Sequence, residues 1–254
     1  MRFASLGSGS RGNALVVEAG TTRILVDCGF GPRELVKRLA RLGLAPGDLD
    51  AVLVTHEHSD HVGGVGRCAL RHSLDVFMTH GTFGAAGLPA PAEVSVTVFD
   101  SHAAFLVGGI EVSPFPVPHD AREPVQFVFS DGRRRLGLLT DTGHVTPHIV
   151  AMLAGCDALV LECNHDAEML AQGNYPRVLK QRIAGRFGHL DNAAAAGLLR
   201  QIDAGRLQHV VCAHLSQQNN TPELARSALA GVTGNAESIG VADQDNGFDW
   251  RAIV

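Results

Sequence analysis

A chain of 254 residues can bury one large core or two small ones. Its net charge of −5 and 45% hydrophobic content describe an ordinary globular protein, which argues against a basic nucleic-acid-binding module. A bound metal would itself concentrate positive charge, so the acidic balance leaves a nucleic-acid substrate open. Cys28, Cys68, Cys156, Cys163 and Cys212 are odd in number and set mostly in apolar runs, as expected of reduced, buried thiols. With no signal-peptide core and no apolar run of membrane length, the expectation is a cytoplasmic enzyme without a membrane partner.

The chain opens with a strand over 2–6, and Gly7-Ser-Gly-Ser-Arg-Gly-Asn13 follows as a tight loop. Free amides in such a loop can cradle an oxyanion, with Ser10 and Asn13 touching substrate, though a plain hairpin turn fits the same residues. Runs 14–18 and 22–27 pair as strands around Gly20. Asp27 ends the second strand, either as a partner for a metal-bound histidine or as a turn residue. Leu35, Val36, Leu39 and Leu42 recur at helical spacing behind Pro32, giving a helix over 32–42.

The apolar run 49–54 reads as a buried central strand that breaks into His56, His58, Asp60 and His61. Side chains two apart on extended chain point the same way, so His56 and His58 can grip one ion while Asp60 and His61 turn toward a second. A helix over 65–72 and a strand over 76–78 come next, then what reads as a run of antiparallel strands over 94–99, 104–107 and 110–115. His72 and His80 fall at element ends as surface or capping residues. Pro114, Pro116 and Pro118 hold an extended lead-in that delivers His119. Strands over 125–130 and 135–139 flank the turn at Asp131-Gly132, and the second ends in Thr140-Asp141-Thr142-Gly143, where Asp141 is placed to bridge two ions.

A short helix over 147–153 precedes a buried strand over 158–162 ending in Glu162, and Cys163-Asn-His165-Asp166 continues beyond it. Helices are expected over 175–187 and over 193–202, the latter capped by Asp191 or Asn192. His214 follows a strand over 209–212. A helix over 221–229 and one or two strands in 237–254 complete the chain. His56, His58 and His119 thus form one candidate ligand set, Asp60, His61 and His214 another, and Asp141 joins them. The donors are nitrogen and oxygen only, which suits two divalent ions, Zn²⁺, Mn²⁺ or Fe²⁺.

Thr55-His-Glu-His-Ser-Asp-His61, Pro114-Phe-Pro-Val-Pro-His-Asp120, Thr140-Asp-Thr-Gly143, Glu162-Cys-Asn-His-Asp166, Gly188-His-Leu190 and His214-Leu-Ser-Gln-Gln-Asn-Asn220, together with the loop 8–13, follow one another in an order that resembles the metallo-β-lactamase-fold hydrolases. Within that fold the order is similar to the YycJ (WalJ)-type subgroup, described as DNA exonucleases and related to tRNA 3′-processing endonucleases and cyclic phosphodiesterases. The resemblance implies an α/β fold, a four-layer αβ/βα sandwich of two mixed sheets, formed by a single domain over 1–254. It implies catalytic roles for Asp60 in the metal set, for His189 as the general acid, and for Glu162 as the carboxylate orienting it. Asp191 stands where the subgroup has serine, and either residue caps a helix. His165 either contacts a substrate phosphate or caps the following helix.

The function implied is metal-dependent cleavage of phosphodiester bonds, with nucleic acid as partner. Two alternatives use the same metal pair: hydrolysis of a small phosphodiester such as a cyclic phosphate, and hydrolysis of a thioester or lactam. The last gives Glu162 and His189 no evident job. A redox protein on this fold is disfavoured, because the set lacks the glutamate expected of diiron relatives and the length leaves no room for a flavin domain. The insertion domain of RNA-processing relatives is missing too, which disfavours a clamp on long RNA. The oligomeric state stays open, a homodimer included.

Overall fold

The computed structural model describes residues 1–88, 93–236 and 238–254. Residue 237, where the expected tail begins, lies outside them. Within the described residues the strands are β1 (Arg2–Gly7), β2 (Ala14–Ala19), β3 (Thr22–Val26), β4 (Ala51–Leu53), β5 (Val76–Thr79), β6 (Val96–Phe99), β7 (Phe105–Val107), β8 (Ile110–Pro116), β9 (Val125–Ser130), β10 (Arg135–Leu139), β11 (Ala158–Glu162), β12 (His209–Ala213), β13 (Ile239–Val241) and β14 (Phe248–Ala252). The α-helices are α1 (Pro32–Arg41), α2 (Ser59–Val62), α3 (Val65–His72), α4 (His80–Ala85), α5 (Pro147–Leu153), α6 (Ala167–Gln172), α7 (Arg177–Ile183), α8 (Asn192–Leu199) and α9 (Pro222–Thr233).

The strands form two seven-stranded sheets, in the orders β14-β1-β2-β3-β4-β5-β6 and β13-β12-β11-β10-β9-β8-β7. Each combines an antiparallel part, β14 to β3 and β7 to β10, with a parallel part, β3 to β6 and β10 to β13.

Alternation along each strand builds the layers. Leu15 and Val17 of β2, Ile24 and Val26 of β3, and Ala51 and Leu53 of β4 face the second sheet, where they meet Phe127, Phe129, Val160 and Val211. Their neighbours Val16, Leu25 and Val52 face outward and pack under Leu35 and Leu39 of α1 and Val65 and Cys68 of α3. On the other side Leu159 and Leu161 of β11 lie against Ile149 of α5, Leu198 of α8 and Leu229 of α9. Strands covered on both faces must be apolar on both, which is why these runs are continuous rather than alternating. The four-layer sandwich expected from the sequence is therefore the fold found.

One strand assignment is corrected. The run 94–99 is not antiparallel to its successors: β6 pairs parallel with β5 in the first sheet, and the chain crosses to the second sheet only before β7. Both placements suit an apolar strand, so local pattern cannot choose between them. Three short helices, α2, α4 and α6, are additional to the expected ones, and α7 covers only the middle of the stretch 175–187.

Candidate metal centre

Sheet register brings the chemistry together. Val26 pairs with Leu53, Leu139 with Leu161, and Glu162 with Ala213, so within each sheet neighbouring parallel strands end level with one another. Asp27, Thr55 and His56 follow the strands of one sheet, while Asp141, Glu162 and His214 end or follow those of the other. Polar side chains at the C-terminal ends of buried strands escape the apolar layers, which leaves this edge as the natural place for them.

His56, His58 and His119 form one cluster, their ring centroids 4.6, 4.9 and 5.0 Å apart. His119 arrives on the proline-stiffened segment after β8, which is tied down where Gly143 N donates to Pro118 O at 2.8 Å. Asp60 and His61 sit on α2. Asn13 N donates to the carbonyl of Asp60 and Cys28 N to that of His61, each at 2.8 Å. Asp60 Oδ2 lies 3.4 Å from both His61 Nε2 and His214 Nε2, and Asp141 Oδ2 lies 3.2 Å from His61 Nε2. His56–His58–His119, Asp60–His61–His214, His56–His61–Asp141 and Asp141–Glu162–His189–His214 are each close enough to share an ion.

The separations themselves fit a metal. Two ligand atoms about 2.1 Å from one ion at a tetrahedral angle stand roughly 3.4 Å apart. That edge length recurs here, at 3.2 Å for His119 Nε2 to His58 Nδ1 and 3.4 Å in the Asp60 set. His56 Nε2 is buried with no hydrogen-bond partner, a costly arrangement for a polar atom unless a cation meets it.

The opposite ring nitrogens are already committed. His61 Nδ1 donates to Asp27 Oδ2 at 2.7 Å, His119 Nδ1 to Gly188 O at 3.0 Å, and His58 Nε2 to Asp120 O at 3.2 Å. Thr55 Oγ1 donates to Asp27 Oδ2 and accepts from His56 Nδ1 at 3.0 Å. Each bond selects the tautomer whose other nitrogen faces inward as an acceptor. Asp27 thus has the orienting role rather than that of a turn residue alone.

Glu162 is fully buried and serves two histidines. Its Oε1 accepts from His189 Nδ1 at 2.8 Å and lies 3.3 Å from His214 Nδ1; Oε2 accepts from Thr142 N and Leu190 N. Burial pushes this carboxyl up, but the charge and hydrogen bonds of His189 and His214 outweigh burial and hold it down to about 2. Burial likewise opposes the charged form of His189, and the Glu162 carboxylate prevails, so His189 is raised above its ordinary value. Against burial, Asp141 lifts His214 to about 10 and Asp141 with Asp27 raises His61 well above its ordinary value. Burial lowers His56 and His119, which leaves them neutral. Burial raises Asp60, yet hydrogen bonds from His214 and His61 hold it far below the usual carboxylate range.

These groups floor a cleft of about 260 Å³ lined by Ser10, His58, Asp60, Asp120, Asp141, His189 and His214, with Tyr175, Leu179, Arg182, Ile183 and Gly188 forming one wall. Ser10 is therefore where a substrate contact would be. Asn13 is not: its side chain is buried, with Nδ2 within 3.1 to 3.4 Å of Gly9 O, Asp60 and His61 Nε2, so it steadies α2. Of the amides in the loop around it, those of Gly9, Arg11, Gly12 and Asn13 already donate within the protein, so they are not free to cradle an oxyanion.

His165 is buried behind the cleft, bridged to Asp191 through the backbone. The cap of α6 is Asp166 Oδ1, not His165. Asp191 Oδ1 caps α8 by accepting from Ala194 N at 2.8 Å, as a serine could. His80 is exposed at the start of α4, whereas His72 closes α3 half-buried, with Nε2 buried and unpartnered. Sequence reasoning missed Thr55, the second partner of Glu162, and Tyr175 and Arg182 on the cleft wall; only the adjacency of Thr55 to the histidine run hinted at any of them.

Comparison with known proteins agrees with this geometry. Residues 22–210 match the model of the beta-lactamase superfamily domain. The chain is 36% identical to exodeoxyribonuclease YycJ of Bacillus anthracis, over 96% of each protein. It is 34% identical to exodeoxyribonuclease WalJ of Streptococcus pneumoniae, covering 94% of this chain and 91% of that one. Its fold matches the metallo-beta-lactamase fold protein YhfI of Bacillus subtilis with a TM-score of 0.76 at 17% identity, over 99% of both chains. Fold, clustered donors and matched residues lead to one conclusion: the chain belongs to the beta-lactamase superfamily.

Proposed function

We propose that this chain is a dinuclear-metal phosphodiesterase that cleaves DNA in the manner of an exonuclease. The observation that carries the reading is the Glu162–His189 pair at 2.8 Å, set beside two donor clusters that fit ions. His56, His58 and His119 would hold one ion, Asp60, His61 and His214 the other, with Asp141 between them. Zn²⁺, Mn²⁺ and Fe²⁺ all suit these donors. Bound there, two divalent ions lower the pKa of water and neutralise charge developing on phosphoryl oxygens.

The chain's own residues do the rest. Asp27, Thr55, Gly188 O and Asp120 O hold the imidazoles in the tautomers that present a lone pair. Glu162 keeps Nδ1 of His189 protonated, so Nε2 is the atom that gives its proton to the departing sugar oxygen. An alkoxide is a poor leaving group without that proton, whereas thioester hydrolysis has no need of it. Donors from both sheets meet at one edge, which makes the whole chain, 1–254, a single catalytic unit in this reading. All five cysteines are free and buried, and among the described residues no helix is long and apolar enough to cross a membrane. We assign the protein to the cytoplasm on the thiols.

The test is cleavage of end-labelled single-stranded and duplex DNA by metal-loaded protein. Stepwise shortening from one end that stops on chelation is expected. Absence of cleavage with each of the three ions would refute the reading.

A further inference from the structure

We infer that α7 and its flanks, the cleft wall over 175–187, form the docking rim for the single DNA strand whose end enters the cleft. The inference rests on the nuclease reading and names how its substrate is held. The segment reads Tyr-Pro-Arg-Val-Leu-Lys-Gln-Arg-Ile-Ala-Gly-Arg-Phe: four basic residues, no acidic one, in a chain whose overall charge is −5. Helical spacing turns Leu179, Arg182 and Ile183 toward the cleft, and Tyr175, just ahead of the helix, joins them there.

The outward side is unusual. Arg177 and Arg186 are exposed and make no side-chain hydrogen bond or ion pair among the described residues, whereas Lys180 donates to Ala171 O and Arg182 to Asp120. Phe187 is 60% exposed and Val178 78%. Phe187 stands next to Gly188, which lines the cleft, and its carbonyl accepts from Asp120 N at 3.0 Å, so its backbone is fixed at the cleft mouth.

Free guanidinium groups beside an unstacked aromatic ring are what a polynucleotide strand requires: charge for phosphates and a face for a base. The seven residues of α7 span about 10 Å, roughly three stacked nucleotides at about 3.4 Å each. A second free basic patch, Arg33 and Arg71 near the ends of α1 and α3, lacks the aromatic and does not line this cleft.

The experiment uses full-length, metal-loaded protein. Binding of a labelled single-stranded phosphorothioate oligonucleotide is followed by anisotropy across salt concentrations, and turnover is measured on DNA and on bis(p-nitrophenyl) phosphate, too small to reach the rim. For Arg177→Glu/Arg186→Glu we expect at least tenfold weaker oligonucleotide binding. The salt slope should also be shallower by about 0.7 for each arginine removed. Phe187→Ala should weaken binding about tenfold at every salt concentration. Arg33→Glu/Arg71→Glu, with the same change in net charge, should bind nearly as wild type, and all variants should cleave the small diester at the wild-type rate. Unchanged oligonucleotide binding in the rim variants, or an equal loss in the Arg33→Glu/Arg71→Glu control, overturns the inference. Failure of wild-type protein to cleave either substrate would instead sink the nuclease reading, and binding would still decide the rim.

Discussion

Asp27, Asp141 and His214 hold left-handed backbone, with φ of 60°, 49° and 53°; of the non-glycine residues described, only Ser73, which ends α3, shares that conformation. Such backbone costs about 1–3 kcal/mol per residue and persists where the surroundings over-determine it. Here it turns three side chains off strand ends into one polar cluster. Asp27→Asn keeps the shape and tolerates the backbone, but removes the charge that orients His61. Metal affinity should fall about 10- to 100-fold, read by competition with a chromophoric chelator; unchanged affinity would show that His61 needs no partner. Glu162→Gln acts on His189. Because the carboxylate raises His189, its loss lowers that pKa, and a general acid must stay protonated. The alkaline limb of the pH–rate profile should therefore move to lower pH, while an unmoved limb would assign that limb to another group.

At the scale of elements, α2 is a four-residue helix with no side-chain cap, held by what surrounds it. Gly64, just beyond it, donates from N to Cys28 O, and a Cβ there would run into the carbonyl of Phe30. Gly64→Ala should cost about 1–3 kcal/mol, roughly 2–10 °C in Tm for a chain of this size, and weaken metal binding through Asp60 and His61. Gly47→Ala, with open space around it, is the neutral control, and equal Tm values for the two variants would contradict the packing argument. Most elements are legible in the sequence because their apolar runs end in glycine, proline or aspartate. The histidine run after β4, the carboxylate after β10 and the one that ends β11 are legible too, since polar residues at buried strand ends have few other uses. The sheet that receives β6 is not legible, nor is the use of Glu162 by His214, because both are settled by contacts between segments far apart in sequence.

For the whole molecule, the donor sets draw on both sheets, so bound ions would fasten one sheet to the other. Metal at a hundredfold excess over its Kd should stabilise the fold by about 2.7 kcal/mol for each ion bound, and chelation should reverse this. Without metal, the neighbouring carboxylates raise His61 well above its ordinary value and His214 to about 10, which favours their protonated forms, and coordination must displace those protons. Metal uptake at pH 7 should therefore release protons, read from calorimetry in buffers of different ionisation enthalpy; no release would mean that these histidines are not ligands.

The central claim, two ions with His189 as the proton donor, is tested most directly by one comparison in His189→Ala loaded with metal. The ratio of its turnover to wild type is measured on DNA and on bis(p-nitrophenyl) phosphate, with metal content determined on the same samples. The account predicts two ions per chain, a loss of about a hundred- to ten-thousandfold on DNA, and a much smaller loss on the nitrophenyl diester, whose leaving group needs little protonation. Cleavage of DNA at the wild-type rate with both ions bound, or an equal loss on the two substrates, would contradict it.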